Sequence, residues 1–378
     1  RDFCLSRGLG DVYKRQPWVW DLIASVQSIA DAKRIADCWR YASGQPQTGG
    51  DDFFPGTAAQ QLADYLFAAH LGGRSVSDVF RWCSNERDTS PADILSEYPR
   101  YAGIASRVSS VIALTPETRS GVFGSLQTMV AFLADHEIID WIDPHRDTNG
   151  NIDERRGLFD PYEFATSEDT LYLLSAQGRP STALTASLTA VVAFTAFQRA
   201  QSEFTGNNRR LPVPLCCVLD EAANICRWPE LADVYSYFGS AGIPIMTIWQ
   251  NPDQGRAAFG ETNFGSLFNN ANITVYLGGI KDAKFLGEIS QLVGQREIVR
   301  GSVNIDGTGR RSVNNSIQKE NILDVSDLTE WPVGRALLLA SQSRAQIVKT
   351  LPWTGNRQWA DALTQAKAKA REEQRKAA

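Results

Sequence analysis

Two adjacent carboxylates, Asp220 and Glu221, follow directly on the apolar run "LCCVL" and precede the small residues "AAN". An apolar run of this kind predicts a buried strand, which would carry both carboxylates to its C-terminal edge. At such an edge one carboxylate can hold Mg²⁺ through water, and its neighbour can polarise an attacking water molecule. A buried strand that simply ends in a solvated acidic turn would have the same sequence. Asp220 and Glu221 are therefore candidates for a metal-assisted hydrolytic site.

A further polar side chain, Gln250, ends the apolar segment "IPIMTIW", which predicts a second strand over residues 243–249. If the two strands are neighbours, the uncharged Gln250 amide stands near the carboxylates, where it could sense a γ-phosphate or orient water. An ordinary amide at the start of a loop is the alternative. A role for Gln250 beside the carboxylates thus depends on whether the two strands pair.

An apolar strand that ends in Asp-Glu is the Walker B element of P-loop ATPases. These enzymes also need a phosphate-binding loop, G-x-x-x-x-G-K followed by Ser or Thr, because backbone amides and the Lys neutralise the phosphates. The sequence contains no Gly-Lys dipeptide. Either the protein is not an ATPase or its loop lay upstream of Pro17, and the chain as written is predicted not to hydrolyse ATP.

The first residues, "RDFCLSRGLGDVYKRQ", lack an initiating Met and the apolar region and cleavage site of a signal peptide. They match neither the pattern nor the composition that follows, and they are similar to translated sequencing adapter. We expect residues 1–16 to be foreign and the natural protein to be truncated at its front.

The hydrophobic period divides the rest of the chain. Helical spacing runs through residues 17–150, which predicts a mainly all-α subdomain. Strands then alternate with helices over 151–353, and their near-continuous apolar runs predict an α/β core, a mainly parallel sheet with helices on both faces. Within that core, helices are predicted over 230–239 and 255–269, and "GRALLLAS" and "AQIVKTL" as a closing pair of strands. Residues 354–378 predict a charged C-terminal helix or a disordered tail.

Composition limits the classes of function. The 378 residues are 43% hydrophobic, which suffices for a sizeable core. The net charge of −5 and the absence of a basic block do not fit a free-standing nucleic-acid binder, so any such contact is local or made by an assembly. No apolar run approaches the roughly 18 residues that a membrane helix needs. The cysteines have no C-x-x-C spacing, which favours reduced thiols over a zinc site.

The central third of the chain resembles a known family. The stretches "PVPLCCVLDEAANICRWPELADVYSYFGSAGIPIMTIWQNPDQGRAAFG" and "LFNNANITVYLGGIKDAKFLGEISQLVG" are similar to the TraG/TraD-type conjugative coupling proteins, motor ATPases of type IV secretion systems. Residues 212–294 resemble the TraM-recognition region of that family. The shared features are a Walker B pair, an Asn, a P-x-L, a Gly-rich turn and a strand ending in Gln, here Asp220, Glu221, Asn224, Pro229, Leu231, Gly239, Gly242 and Gln250. A fainter similarity covers most of residues 17–353.

The resemblance implies a RecA-like P-loop NTPase core with an inserted all-α subdomain. It implies a homo-oligomer, a hexameric ring at the cytoplasmic side of the bacterial inner membrane, which uses ATP and Mg²⁺ to drive DNA with its relaxase into the type IV secretion channel. Relaxosome proteins would be further partners, and the membrane anchor and Walker A would precede the region present here. By position, Asp220 would bind the Mg²⁺ of the nucleotide through water, Glu221 would be the general base and Gln250 the sensor.

One departure from the family concerns arginine. Relatives often carry an Arg in the Gly-rich turn, as a trans-acting finger, whereas "GSAGI" has Ala241. Arg256 and Arg227 are substitutes that the sequence does not rank. Four other arginines could contact DNA phosphates in a ring pore or be ordinary solvated loop charges: Arg209, Arg210, Arg310 and Arg311.

Two other readings stay open. One is an FtsK/HerA-like ring motor for double-stranded DNA, or a secretion ATPase that moves protein. The other is a non-enzymatic relaxosome-docking module. The helical insertion favours the coupling protein over the first, and the paired carboxylates, for which a docking module has no need, weaken the second.

Overall fold

The computed structural model describes residues 2–4, 18–44, 52–144, 157–175, 181–305 and 311–377. The chain divides into two compact units, residues 1–269 and residues 270–378. The predicted foreign segment and the predicted boundary near residue 150 stay predictions.

Helices make up the described chain between Ile29 and Ile142. They are α1 Ile29–Ala42, α2 Phe53–Leu71, α3 Val76–Ser84, α4 Ser90–Ser96, α5 Ala102–Ile112, α6 Pro116–Val130 and α7 His136–Ile142. Helix α2 contacts α1, α3, α4, α5 and α6, and its Leu62, Tyr65 and Leu66 have no exposed surface. The first unit is therefore organised here around one central, almost fully buried helix.

Local sequence explains where these helices begin. Ser28 caps α1 by accepting a hydrogen bond from the Asp31 amide. Ser75 and Asp78 form a reciprocal capping box at the start of α3, an arrangement that contributes about 1 kcal/mol to a helix start. Helices α4 and α6 each have a Pro in the first turn. Backbone N–H groups in a first turn have no acceptor within the helix, so Pro, which lacks an N–H, is tolerated there.

An ion pair with one buried partner joins α2 to α5. Arg107 donates through Nη2 to Asp64 Oδ1 at 2.6 Å and through Nε to Oδ2 at 2.8 Å. The Asp64 side chain is fully buried, whereas that of Arg107 is 43% exposed. Burial raises the pKa of Asp64, and the hydrogen bonds from Arg107 counteract that rise. Gln60 Nε2 also donates to Asp64 Oδ1 at 3.1 Å, so Arg107 supplies the charged partner of this buried carboxylate and Gln60 a neutral one.

A long helix, α9 Ser181–Ser202, runs through the core of the first unit and contacts α1. Its Phe194 ring lies 5.2 Å from Phe238 and 6.0 Å from Trp228. Among the described residues it is the one helix long and apolar enough to cross a membrane, and 61% of that apolar window is buried inside the protein. Such burial is what a core helix of a globular unit requires.

The strands of the first unit are three residues long and pair in parallel, as predicted. They form three separate two-stranded pairs rather than one continuous sheet within the described part of the chain. The pairs are β1 Asp2–Cys4 with β4 Thr170–Tyr172, β2 Trp18–Trp20 with β3 Gly157–Phe159, and β5 Cys217–Leu219 with β6 Ile245–Thr247. A short helix, α8 Pro161–Phe164, lies between β3 and β4. Parallel pairing is thus present, but the extended sheet is not.

The predicted helix over 230–239 is wrong in extent. After β5 the chain forms α10 Ala222–Ile225 and α11 Leu231–Val234, followed by a 3-10 turn at Phe238–Ala241. Gly242 then takes a φ of 86°, which a residue with a side chain rarely adopts, and turns the chain into β6. Trp228 before α11 and Phe238 after it both pack against Phe194 of α9, so tertiary contacts replace a regular helix.

The predicted helix over 255–269 is two helices, α12 Pro252–Phe259 and α13 Glu261–Asn270. They are separated by Gly260, whose φ of 81° ends α12. The two helices pack closely because Gly255 has no side chain: a Cβ built there would lie 2.1 Å from Cε2 of Phe264.

This close approach gives a stability prediction. Gly255→Ala is expected to destabilise the first unit by about 1–3 kcal/mol, because the Phe264 ring must move. Gly265→Ala is the matched control, since a Cβ there meets nothing within 4 Å and Ala gains about 0.5–1 kcal/mol over Gly inside a helix. The midpoint temperature of thermal unfolding, followed by circular dichroism, should fall for Gly255→Ala and not for Gly265→Ala. Equal midpoints would contradict the packing described.

The second unit contains an antiparallel sheet in the order β11, β10, β7. Its strands are β7 Ile273–Tyr276, β10 Arg335–Ala340 and β11 Gln346–Lys349, so the predicted closing pair is present. Two helices, α14 Ala283–Val293 and α15 Val325–Thr329, contact each other. The Tyr276 hydroxyl donates to the Leu328 carbonyl at 2.8 Å, which fixes α15 to the sheet. A last helix, α16 Arg357–Ala377, ends the described chain.

A long antiparallel ribbon in this unit was not predicted. It consists of β8 Gln295–Ile305 and β9 Arg311–Asn321, with Val299 opposite Ile317 and Val303 opposite Val313. Its strands, "QREIVRGSVNI" and "RSVNNSIQKEN", are mostly polar on both faces. Period-two alternation is consequently too sparse to identify them as strands.

Candidate functional site

The pairing of β5 with β6 aligns the predicted site residues. Cys217, Val218 and Leu219 stand opposite Ile245, Met246 and Thr247. The ladder continues with the Ile248 amide donating to the Leu219 carbonyl at 3.0 Å, and the Ala222 amide donating to the Ile248 carbonyl at 3.3 Å. Because the strands are parallel, Asp220, Glu221 and Gln250 all follow the carboxyl ends of neighbouring strands.

A direct hydrogen bond joins two of these residues. Gln250 Nε2 donates to Glu221 Oε1 at 2.6 Å. The bond leaves the second carboxylate oxygen, Oε2, available to accept a hydrogen bond from water. The arrangement orients the carboxylate as a general base requires.

The backbone at Glu221 is strained. Its φ of 49° and ψ of 45° are left-handed, a conformation that costs a residue with a side chain about 1 kcal/mol. The Glu221 carbonyl accepts hydrogen bonds from the Asn224 and Ile225 amides, which starts α10 directly after the strand. Strain of this kind is concentrated at functional sites, where the surrounding structure maintains it.

Asp220 is exposed beside Glu221. It also lines a cavity of about 540 Å³ between α9, the β4 segment and β5, with Leu171, Leu173 and Val192 among its apolar walls. No cluster of three or more His, Cys, Asp and Glu side chains in the described ranges could hold a metal alone. Two carboxylates with room for further ligands nevertheless suit Mg²⁺, which in proteins uses one or two carboxylates together with water and phosphate oxygens.

One face of the β5–β6 pair departs from the prediction of a sheet covered on both faces. Val218 is 57% exposed and Met246 is 55% exposed, and Ile248 follows on the same face. The opposite face contributes Leu219 to the core. The continuous apolar run therefore does not mean burial on both sides in this chain.

The two candidate arginines are engaged within their own chain. Arg256 Nη1 lies 3.0 Å from Asp253 Oδ1, and its Nε lies 3.3 Å from Glu261 Oε2. Arg227 donates through Nε to the Ala223 carbonyl at 3.1 Å, at the end of α10. Neither arginine forms a hydrogen bond with Glu221 in the described part of the chain. Their role as a finger for another subunit stays a prediction.

A positioning group that sequence reasoning missed is Arg34, on α1. Its side chain is 9% exposed, bonds Asp31 at 2.9 Å and Glu230 at 3.0 Å, and places its guanidinium 3.5 Å from the centre of the Phe194 ring. Glu230 is the N-cap residue of α11, shortly after the carboxylates. Arg34 thus ties the segment that follows Glu221 to both α1 and α9. The sequence signal that could have identified Arg34 is a charged residue among the apolar positions of a predicted helix.

Two cysteines near the site, Cys217 and Cys226, have thiols that are hard to ionise. Burial raises the pKa of Cys217 and of Cys226 to about 12. Cys38, Cys83, Cys216, Cys217 and Cys226 are all free. A thiol with so high a pKa is not a nucleophile at neutral pH, so Cys217 and Cys226 are not candidates for catalysis.

Residues 214–333 match the family described as the TraM recognition site of TraD and TraG. This match confirms the resemblance to the TraG/TraD-type coupling proteins in the segment that contains Asp220, Glu221 and Gln250. No curated protein sequence matches the chain.

Solved structures give the fold. The bacterial conjugative coupling protein TrwBdeltaN70, in its unbound monoclinic form, is similar with a TM-score of 0.62 and 15% identity, over 92% of this chain and 73% of that one. The plasmid coupling protein TrwB in complex with ADP and Mg²⁺ gives a TM-score of 0.61 and 15% identity over the same shares. TrwB with the non-hydrolysable ATP analogue ADPNP gives 0.62 and 14%, again over 92% and 73%. At this identity the likeness establishes the fold alone.

Proposed function

We propose that this chain is the C-terminal portion of a conjugative coupling protein with a RecA-like P-loop NTPase core. In its full-length form it is a ring ATPase, hexameric and attached to the cytoplasmic side of the inner membrane. It drives DNA, with its relaxase, into a type IV secretion channel. The observation that carries the proposal is the 2.6 Å bond from Gln250 to Glu221 at the carboxyl edge of two parallel strands, inside the segment that matches the family.

In the proposed reaction each residue has one task. Asp220 would hold Mg²⁺ through water, and the bound ion would supply positive charge for the phosphate oxygens of a nucleotide. Glu221 accepts the proton of the attacking water at Oε2, because Oε1 is occupied by Gln250. Gln250 keeps the Glu221 carboxylate in one orientation and, as an uncharged donor, stands where it can report the γ-phosphate. The motor also needs a phosphate-binding loop, and this chain has no Gly-Lys dipeptide from which to build one.

The test uses the protein expressed with its native upstream coding sequence. We expect hydrolysis of ATP that requires Mg²⁺ and rises when single-stranded DNA is added, and we expect Asp220→Asn to remove it. Purified protein that carries a phosphate-binding loop but shows no Mg²⁺-dependent hydrolysis would contradict the motor. The relaxosome-docking module would then be the function to pursue.

A further inference from the structure

The strained backbone at Glu221 belongs to a stretch of chain that is fixed at both ends. Near its first end, the Ala222 amide donates to the Ile248 carbonyl at 3.3 Å, which joins the stretch to β6. At its second end, Arg34 Nε donates to Glu230 Oε2 at 3.0 Å. The stretch, which we call the Glu221–Glu230 segment, therefore runs from the carboxyl edge of two strands to a side chain of α1.

Local hydrogen bonds make this segment continuous. After the turn in which the Glu221 carbonyl starts α10, the Cys226 amide donates to the Ala222 carbonyl at 3.2 Å. The Trp228 amide donates to the Cys226 carbonyl at 2.9 Å. Trp228 Nε1 then donates to Glu230 Oε2 at 3.4 Å. A displacement of the Glu230 carboxylate can consequently reach the Glu221 backbone through bonded groups alone.

Arg34 holds Glu230 from an almost buried position. The Arg34 side chain is 9% exposed, and that of Glu230 is 34% exposed. Arg34 Nη1 also donates to Asp31 Oδ1 at 2.9 Å, and its guanidinium carbon lies 3.5 Å from the centre of the Phe194 ring. The contacts lie on α1, α9 and the start of α11. Together they fix the planar guanidinium group in one orientation, which a compact ammonium group could not reproduce.

The Glu221 backbone needs such a restraint. Its φ of 49° is left-handed, and a residue with a side chain keeps this conformation only where the surrounding structure enforces it. Helix α10, which follows directly, is four residues long, and a helix so short is not stable by itself. The conformation of Glu221 therefore depends on what holds the two ends of the Glu221–Glu230 segment.

We propose that Arg34 is a positioning residue for Glu221. By holding Glu230, it keeps the segment in the form in which the Glu221 backbone is left-handed and its carboxylate accepts the hydrogen bond from Gln250. Without the guanidinium group, Glu230 loses its anchor on α1, the backbone at Glu221 relaxes, and the carboxylate loses its orientation. The inference rests on the proposed function, which makes Glu221 the general base, but the restraint itself involves no nucleotide.

The first test measures coupling between the two ends of the segment, without nucleotide. Urea unfolding gives the unfolding equilibrium constant for the unaltered chain, Arg34→Met, Glu221→Gly and the double variant. Glu221→Gly relieves backbone strain, and less strain is left to relieve once Arg34 is replaced. Its effect on the constant should therefore differ by about three- to five-fold between the two backgrounds. Arg34→Lys, a milder change, should give a smaller difference in the same direction and serves if Arg34→Met does not fold.

The second test measures ATP hydrolysis by the protein expressed with its native upstream coding sequence. Arg34→Met is expected to lower kcat by about ten-fold and to leave the KM for ATP within about two-fold, because it disturbs the base and no contact with the nucleotide. Arg34→Lys should recover part of kcat. Its ammonium group can still pair with Glu230, but it cannot also hold Asp31 and the Phe194 ring.

Arg119→Met is the matched control for both tests. Arg119 is also 9% exposed, lies 3.3 Å from Glu86 through Nε, and donates through Nη1 to the carbonyls of Ile112 and Leu114 at 3.0 Å. All of these contacts lie in the helical region. The variant should lower stability, but it should change neither kcat per folded molecule nor the effect of Glu221→Gly.

Three outcomes would overturn the proposal: an equal effect of Glu221→Gly in both backgrounds, an unchanged kcat in Arg34→Met of an active motor, or an equal loss of kcat in Arg119→Met. The last outcome would assign the loss to general instability. Coupling in a full-length protein that does not hydrolyse ATP would keep the restraint by Arg34 and reject the motor. Hydrolysis without coupling would do the reverse.

Discussion

Glu221→Gln is expected to lower ATP hydrolysis by the full-length protein by about 10²- to 10⁴-fold, the range for loss of a general base. The amide cannot accept the proton of water, yet it has the shape of the carboxylate and can still meet Gln250, which lies 2.6 Å away in the unaltered chain. Nucleotide binding should therefore survive. In this variant the steady-state rate of ATP hydrolysis should fall, whereas the affinity for a fluorescent nucleotide should stay the same.

The matched control for this prediction is Gln250→Ala. It keeps the base but removes the group that orients Glu221, so we expect a smaller loss, on the order of ten-fold, without loss of binding. Equal activity of Glu221→Gln and the unaltered protein would place the base elsewhere. A larger loss in Gln250→Ala than in Glu221→Gln would reverse the roles assigned to the two residues.

Arg107→Ala is expected to destabilise the first unit by about 2–3 kcal/mol at neutral pH. Removal of one partner leaves the other as an uncompensated buried charge, which costs about 3–5 kcal/mol in fully buried pairs. The lower figure applies because the Arg107 side chain is 43% exposed whereas that of Asp64 is fully buried, so water can reach the vacated space. Urea unfolding of both proteins measures the difference.

The pH dependence gives this prediction its sign. Burial raises the pKa of Asp64 above its ordinary value, and loss of Arg107 raises it further. Below the pKa of the unfolded state the carboxyl is protonated in both states, so the penalty disappears. The penalty develops as the pH rises from the unfolded-state pKa to the folded-state pKa of Asp64. It is complete above the folded-state pKa. The variant should therefore approach the stability of the unaltered protein in acid.

Two further variants control for this prediction. Asp64→Asn in the Arg107→Ala background removes the buried charge and should recover most of the loss. Arg81→Ala removes an exposed partner of Asp78 and should change stability by less than about 0.5 kcal/mol. A loss in Arg107→Ala that is independent of pH and unaffected by Asp64→Asn would show that packing of the Arg107 stem, rather than charge, is responsible.

The carboxyl edge of β5 and β6 was accessible from sequence because its signals are local. Each strand is an apolar run that ends in a polar residue, and parallel neighbours bring such ends together. The condition stated for Gln250, that the two strands be neighbours, holds in the register of Leu219 with Thr247. The catalytic roles of Asp220, Glu221 and Gln250 stay predictions.

What escaped sequence analysis depends on long-range contacts. An apolar run does not say which of its faces is covered, so the exposure of Val218 and Met246 could not be anticipated. The bond of Arg34 to Glu230 joins residues 196 positions apart. The break in the predicted helix over 255–269 depends on Gly260, whose positive φ follows from tertiary packing as much as from composition.

Under the proposed motor function, the left-handed backbone of Glu221 sets stability against activity at one position. A Gly or Asn there would relieve the strain without disturbing β5 or α10, because both adopt this conformation at lower cost. Selection for thermal resistance alone would favour such replacements and discard the carboxylate. Retention of Glu at this position in an evolving population is therefore a sign that turnover is under selection, and variants of the protein that serve solely in docking should be the ones that lose it.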